Sequence, residues 1–82
     1  MNLMAKILVD ACFGHNLKQI RMSCDMSQAD VVRELNLLGR SISVTQYGHI
    51  EQGRANIFAT DLVLLQRIFK VDYSEFFKDL VP

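Results

Sequence analysis

The chain has 82 residues, half of them hydrophobic, with nine basic and nine acidic side chains that cancel. A length of this order fits one domain, and the apolar content is too high for a disordered chain. The balanced charge withholds the basic excess that many nucleic-acid binders carry, although net charge says nothing of local clustering.

No apolar run reaches the roughly 20 residues that a membrane span needs. Cys12 and Cys24 stand apart, with neither a CxxC pair nor a histidine at metal spacing. They read as two half-buried thiols in a reducing, cytoplasmic compartment. The opening MNLMAKILVDACF has too short an apolar stretch for a secretory signal. Residues 1–12 are expected to be an N-terminal extension or association arm, and residues 13–82 the domain proper.

Strand-like alternation is weak along the chain and helical periodicity is strong. MNLMAKILVDACF accommodates a helical turn or two, interrupted near Gly14. GHNLKQIRMSCD then places Leu17, Ile20, Arg21 and Cys24 on one helical face. In SQADVVRELNLL, Ser27 is an N-cap with Asp30 three residues on, close to a capping box. Val31, Val32, Leu35 and Leu38 form its apolar stripe, and Gly39 is the stop. SVTQYGHIEQG has Ser43 as N-cap, Tyr47 and Ile50 as its apolar pair and Gly53 as terminator. TDLVLLQRIFK starts at Thr60 or Asp61 and buries Leu62, Leu65, Ile68 and Phe69. DYSEFFKDL opens on Asp72 with Glu75 three residues on. Phe76 and Phe77 are its anchors, one facing the core and the other left for a shallow groove or a dimer contact.

Five short helices with short connectors make a compact all-α domain. The second and third, joined by GRSI, have the order of a helix-turn-helix. The third is an odd helix. Gly48 is a poor interior residue, and Thr45, Gln46 and His49 give it a polar face. A helix this weak is expected to be kept for contact.

Four pieces of text, in order, resemble the lambda-repressor-like, or Cro/XRE-type, helix-turn-helix family: GHNLKQIR, MSQ, SVTQYGHIEQG and VDYSEFF. The likeness runs from about Phe13 to Leu80. It departs at LNLLGRSIS, where several extra residues lie between Leu35 and Ser43, implying a second helix about a turn longer. The resemblance implies a sequence-specific transcriptional regulator that binds double-stranded DNA as a homodimer. By the same likeness Gln28 touches a phosphate. Ser43, Val44 and Thr45, with Gly48 and His49 one turn on, face the bases. Arg21 pairs with Glu51 to fix the third helix against the first.

The chemistry of these residues agrees with such roles. Thr45 offers a hydroxyl and a methyl, Val44 apolar contact only, and His49 either a donor or an acceptor. Gln46 is expected to reach the DNA backbone. No arginine or lysine lies in the third helix, so a site would be read through adenine and thymine features or through shape. Arg40, Arg54 and Asn56, with Lys18 and Arg33 further off, are candidates for phosphate contacts, which position without specifying.

The chain shows no paired carboxylates, nucleophile–base pair or phosphate loop, so no enzyme is expected, and no cofactor, metal or small-molecule ligand. Apolar residues in MNLMAKILVDACF and EFFKDLVP are expected to supply an association surface. RNA polymerase, touched from a neighbouring site, is a further partner the likeness allows. The alternative is an antitoxin-like or protein-interaction module that no longer reads DNA. Neutral charge, Gly48 and an arginine-free third helix favour it.

Overall fold

The computed structural model of the chain describes residues 6–7 and 10–80. Among these described residues there are four α-helices: α1 (Ala11–Ser23), α2 (Gln28–Leu37), α3 (Val44–Glu51) and α4 (Ala59–Phe69). Two two-residue strands, β1 (Lys6–Ile7) and β2 (Ile57–Phe58), pair antiparallel, Lys6 opposite Phe58 and Ile7 opposite Ile57. The molecule is therefore mostly helical. The expected fifth helix is only a short 3-10 helix, Tyr73–Phe77. The remaining residues of the proposed N-terminal arm, 1–5, 8 and 9, lie outside the described part.

Helix starts follow side-chain capping. Asp10 accepts the Phe13 N–H at 2.9 Å, which begins α1 three residues before Gly14. The helix runs through that glycine without interruption, so Ala11 and Cys12 belong to α1. Ser27 and Asp30 form a reciprocal capping box on α2, as do Ser43 and Gln46 on α3. Asp61 draws α4 back to Ala59 by accepting the Phe58 N–H at 2.8 Å from within the first turn.

Helix ends follow from the Schellman pattern, in which the two residues past the cap donate back to the last turn. After α2, Gly39 and Arg40 donate to Asn36 and Leu35. After α3, Gly53 and Arg54 donate to Ile50 and His49. Gly39 and Gly53 take the positive φ this needs, +94° and +74°.

α1 packs on α3 and on the 3-10 helix, and α2 on α3 and α4. The core draws Leu17 and Ile20 from α1, Val31 and Leu35 from α2, Tyr47 and Ile50 from α3, Ile57 from β2, and Leu65 and Phe69 from α4. Leu38 leaves the expected stripe: as the C-cap of α2 it turns outward, 45 % exposed. Leu62 and Ile68 are half-buried. Phe76 is fully buried and Phe77 half-buried, and both rings lie on Phe13, at 6.4 and 5.7 Å between centroids. The phenylalanine pair thus closes the core around Phe13. Asn16 latches this segment to α1 by donating to the carbonyls of Phe76 at 3.1 Å and Lys78 at 2.7 Å.

Two glycines bring the start of α1 against the end of α3. A Cβ on Gly14 would collide with the Glu51 carbonyl oxygen and stand 2.7 Å from that of Ile50. A Cβ on Gly53 would stand 2.7 Å from the Ala11 nitrogen. Gly48 differs: a Cβ there would meet only the Gln28 side chain, at 3.5 Å, an ordinary contact. Two Gly→Ala changes inside helices are therefore expected to have opposite signs. Gly14→Ala drives backbone against backbone and costs about 1–3 kcal/mol. Gly48→Ala gains up to about 1 kcal/mol of helix propensity. Urea unfolding of the two variants beside the parent checks both, and a shift of the same sign in both would refute the packing described.

Candidate functional site

α3 spans eight residues, about 12 Å of helix, and its two sides differ sharply. Tyr47, Gly48, Ile50 and Glu51 are buried. Ser43, Val44, Thr45, Gln46, His49 and Gln52 are exposed. Thr45, His49 and Gln52 are spaced by four and three residues and so share one line along the outer face. Gln52, which continues that line, was not singled out from sequence, although its spacing from Thr45 was readable.

The inner face is fixed by Glu51. Arg21 donates from Nε to Oε2 at 2.7 Å and from Nη2 to Oε1 at 3.1 Å, a two-pronged pair with side chains 11 % and 3 % exposed. Its Nη1 also donates to the Met26 carbonyl at 2.9 Å. Gln28, at the start of α2, donates to Oε1 at 3.1 Å. One carboxylate thus joins α1, α2 and α3. Burial pushes the Glu51 carboxyl up, but hydrogen bonding to Arg21, then the polar groups of Tyr47 and Gln28, outweighs it and holds the group below its ordinary range. Hydrogen bonding to Glu51 raises the Arg21 guanidinium further. The Tyr47 hydroxyl is buried without a hydrogen-bond partner among the described residues. Burial, with the nearby carboxylate, pushes its phenol far above the usual tyrosine range.

The candidate contact residues divide into groups. Arg40, Gln46, His49 and Asn56 line one shallow cleft of ≈ 180 Å³ beside α3. Val44 and Thr45 are exposed on the first turn of α3, and Arg54 is exposed in the turn after it. Gly48 does not lie on the outer face as expected. It is buried beneath the amide of Gln28. Ser43 and Gln46 are committed to each other: the Ser43 hydroxyl accepts the Gln46 N–H and the Gln46 side-chain oxygen accepts the Ser43 N–H. Lys18 and Arg33 are exposed, and Arg33 lies 3.7 Å from Asp30 on its own helix.

Arg40 is tied up more firmly than its place in a turn suggested. Its Nε donates to Asp61 Oδ1 at 2.8 Å, its Nη1 donates to the Ser41 carbonyl at 2.9 Å, and its guanidinium lies 6.0 Å from the centre of the Phe58 ring. The Asp61 side chain is only 6 % exposed. Asp61 therefore caps α4 and anchors the turn before α3, a double task that its sequence position concealed. Among the described residues no group of three or more His, Cys, Asp or Glu side chains could hold a metal ion, and no helix is long and apolar enough to cross a membrane.

Glu51 yields two measurable consequences. Removing either partner of the pair strands a buried charge at a cost on the order of 3 kcal/mol. In a denaturant cycle of Arg21→Met, Glu51→Leu and the double variant, the double is expected to lose much less than the sum of the singles. Simple additivity would mean no coupling. The folded-state pKa of Glu51 is depressed, so its contribution is complete above the unfolded value near 4.5 and disappears as pH falls through the folded one. Acidification below about pH 4.5 should therefore destabilise the parent more steeply than Glu51→Gln, and equal slopes would contradict the assignment.

No protein-family model, curated protein or solved structure matches the chain.

Proposed function

We propose that the chain is a sequence-specific, double-stranded-DNA-binding transcriptional regulator of the lambda-repressor-like, Cro/XRE type, acting as a cytoplasmic homodimer. In this reading α2 and α3 form the helix-turn-helix, and the outer face of α3 enters the major groove. The observation that carries it is the division of α3: an inner face over-determined by Tyr47, Ile50 and the Arg21–Glu51–Gln28 cluster, and an outer line of polar, exposed side chains with no packing task. A major groove admits one such helix.

Thr45 and His49 are the base-reading residues, and Val44, 42 % exposed, offers apolar contact to a thymine methyl. Gln46 spends its oxygen on the cap and keeps its amide N–H groups for the backbone. Gln28 keeps one amide N–H for a phosphate while the other holds Glu51. Arg54 supplies positive charge beside the helix, whereas Arg40 serves the fold first.

The tie between Arg40 and Asp61, together with the lack of any arginine or lysine in α3, favours a second reading: an antitoxin-like or protein-interaction module with this fold that does not read DNA.

Selection from a random duplex pool separates the two. The parent is expected to enrich defined sites. Thr45→Ala and His49→Ala should each change the preferred base pairs, by about 1–3 kcal/mol per contact, without unfolding the chain. Arg54→Ala should weaken binding to all sequences alike and lower the salt slope by about one. A folded parent that enriches nothing and shows no salt-dependent binding at low ionic strength would hand the fold to the second reading.

A further inference from the structure

A cleft larger than the one beside α3 lies between the end of α2 and the end of α4, with a volume of ≈ 430 Å³. It shares no lining residue with the cleft beside α3. Its walls are apolar: Met26, Leu37, Leu38 and Ile68. Leu37 is 74 % exposed, the most exposed of the large apolar side chains among the described residues, and Leu38 is 45 % exposed. Such residues, grouped on one face, mark an interaction surface. The rim is charged with both signs, Glu34 on the α2 bank and Arg67 and Lys70 on the α4 bank. Among the described residues none of these three forms an ion pair.

We propose that this face is the homodimer interface, and that the occupant of the cleft is a second copy of the same chain. A two-fold contact requires one patch to carry both halves of every interaction. This patch does so twice. It has a projecting side chain, Leu37, beside an apolar hollow that can receive the partner's Leu37. It also has a carboxylate on one bank and two cations on the other, so a two-fold rotation sets Glu34 of each copy against Arg67 and Lys70 of the other. An acidic peptide would be repelled by Glu34, and a basic one by Arg67 and Lys70. A surface of this composition fits itself better than either. The inference names the interface of the homodimer in the DNA-binding reading, yet its test needs no DNA.

The experiment is sedimentation equilibrium on the full chain over a wide concentration range, with circular dichroism as a check of folding. The parent is expected to reach twice its 9.4 kDa mass. Glu34→Arg places like charges together at two symmetric points, as does Arg67→Glu with Lys70→Glu. Each variant alone should dimerise at least about tenfold more weakly. Mixed in equal amounts, the two should form a one-to-one heterodimer, since every reversed charge now meets its opposite. Recovery on mixing cannot come from misfolding. A parent monomeric throughout, or variants that still pair with themselves as well as the parent does, would overturn the assignment. Gel shifts on the same samples keep the two proposals apart: a dimer through this face that binds no DNA refutes the DNA reading alone, and a DNA-binding parent that stays monomeric refutes the interface, and the homodimer with it, while DNA binding through α3 stands.

Discussion

A buried carboxylate at the C-terminal end of a helix is doubly unfavourable, through lost hydration and through the negative end of the helix dipole. Glu51 occupies that position, and the arrangement of the first three helices follows from what it needs. Arg21 answers it with two parallel hydrogen bonds from α1, and Gln28 adds a third from α2. The same residue's carbonyl lies where Gly14 has no side chain. The Glu51 side chain thus selects its partners, and its backbone sets how close α1 can come. An eight-residue helix has little stability of its own in water, so the orientation of α3 is imposed by these contacts and not by its intrinsic propensity.

A second, smaller anchor fixes the other end of α3. The turn that leads into it is held by Arg40 on Asp61 and by Asn36, whose amide donates to the carbonyls of Val32 and Ile42 at 2.8 and 3.1 Å. One tie reaches α4 and the other α2. With both ends secured from the inside, Val44, Thr45, His49 and Gln52 are left exposed along the helix. This explains why a helix can contain Gly48 and still be well placed. The glycine weakens the helix, but Gln28 lies over it on the way to Glu51.

What could be read in advance was local or had a chemical partner of opposite sign. The caps at Ser27 and Ser43 and the stops at Gly39 and Gly53 each depend on a few residue types at short spacing, and the pairing of Arg21 with Glu51 is implied by the likeness to the Cro/XRE-type text, not by spacing. What could not be read depended on distant chain segments meeting. Gly14 looked like a break in a helix because its reason, the end of α3, lies far along the sequence. Thr60 or Asp61 read as the start of α4, whereas the helix begins at Ala59 and Asp61 caps it from inside the first turn and also receives Arg40. Arg40 therefore looked free for phosphate. Pairing of β1 with β2 involves two residues from each strand, too few for alternation to register. Gly48 fell on the buried side because Gln28 reaches across to cover it, and helical spacing alone does not reveal that cover.

Amide chemical shifts of the labelled chain, followed while a short duplex is added at low ionic strength, test most directly whether the outer face of α3 is the contact surface. The expected result is a set of salt-sensitive shifts at residues 43–49 and 52–56, with Gln28 included, while the ends of α2 and α4 around Leu37 and Ile68 stay still at constant protein concentration. Shifts confined to the α2–α4 face, or none at any duplex concentration, would contradict it.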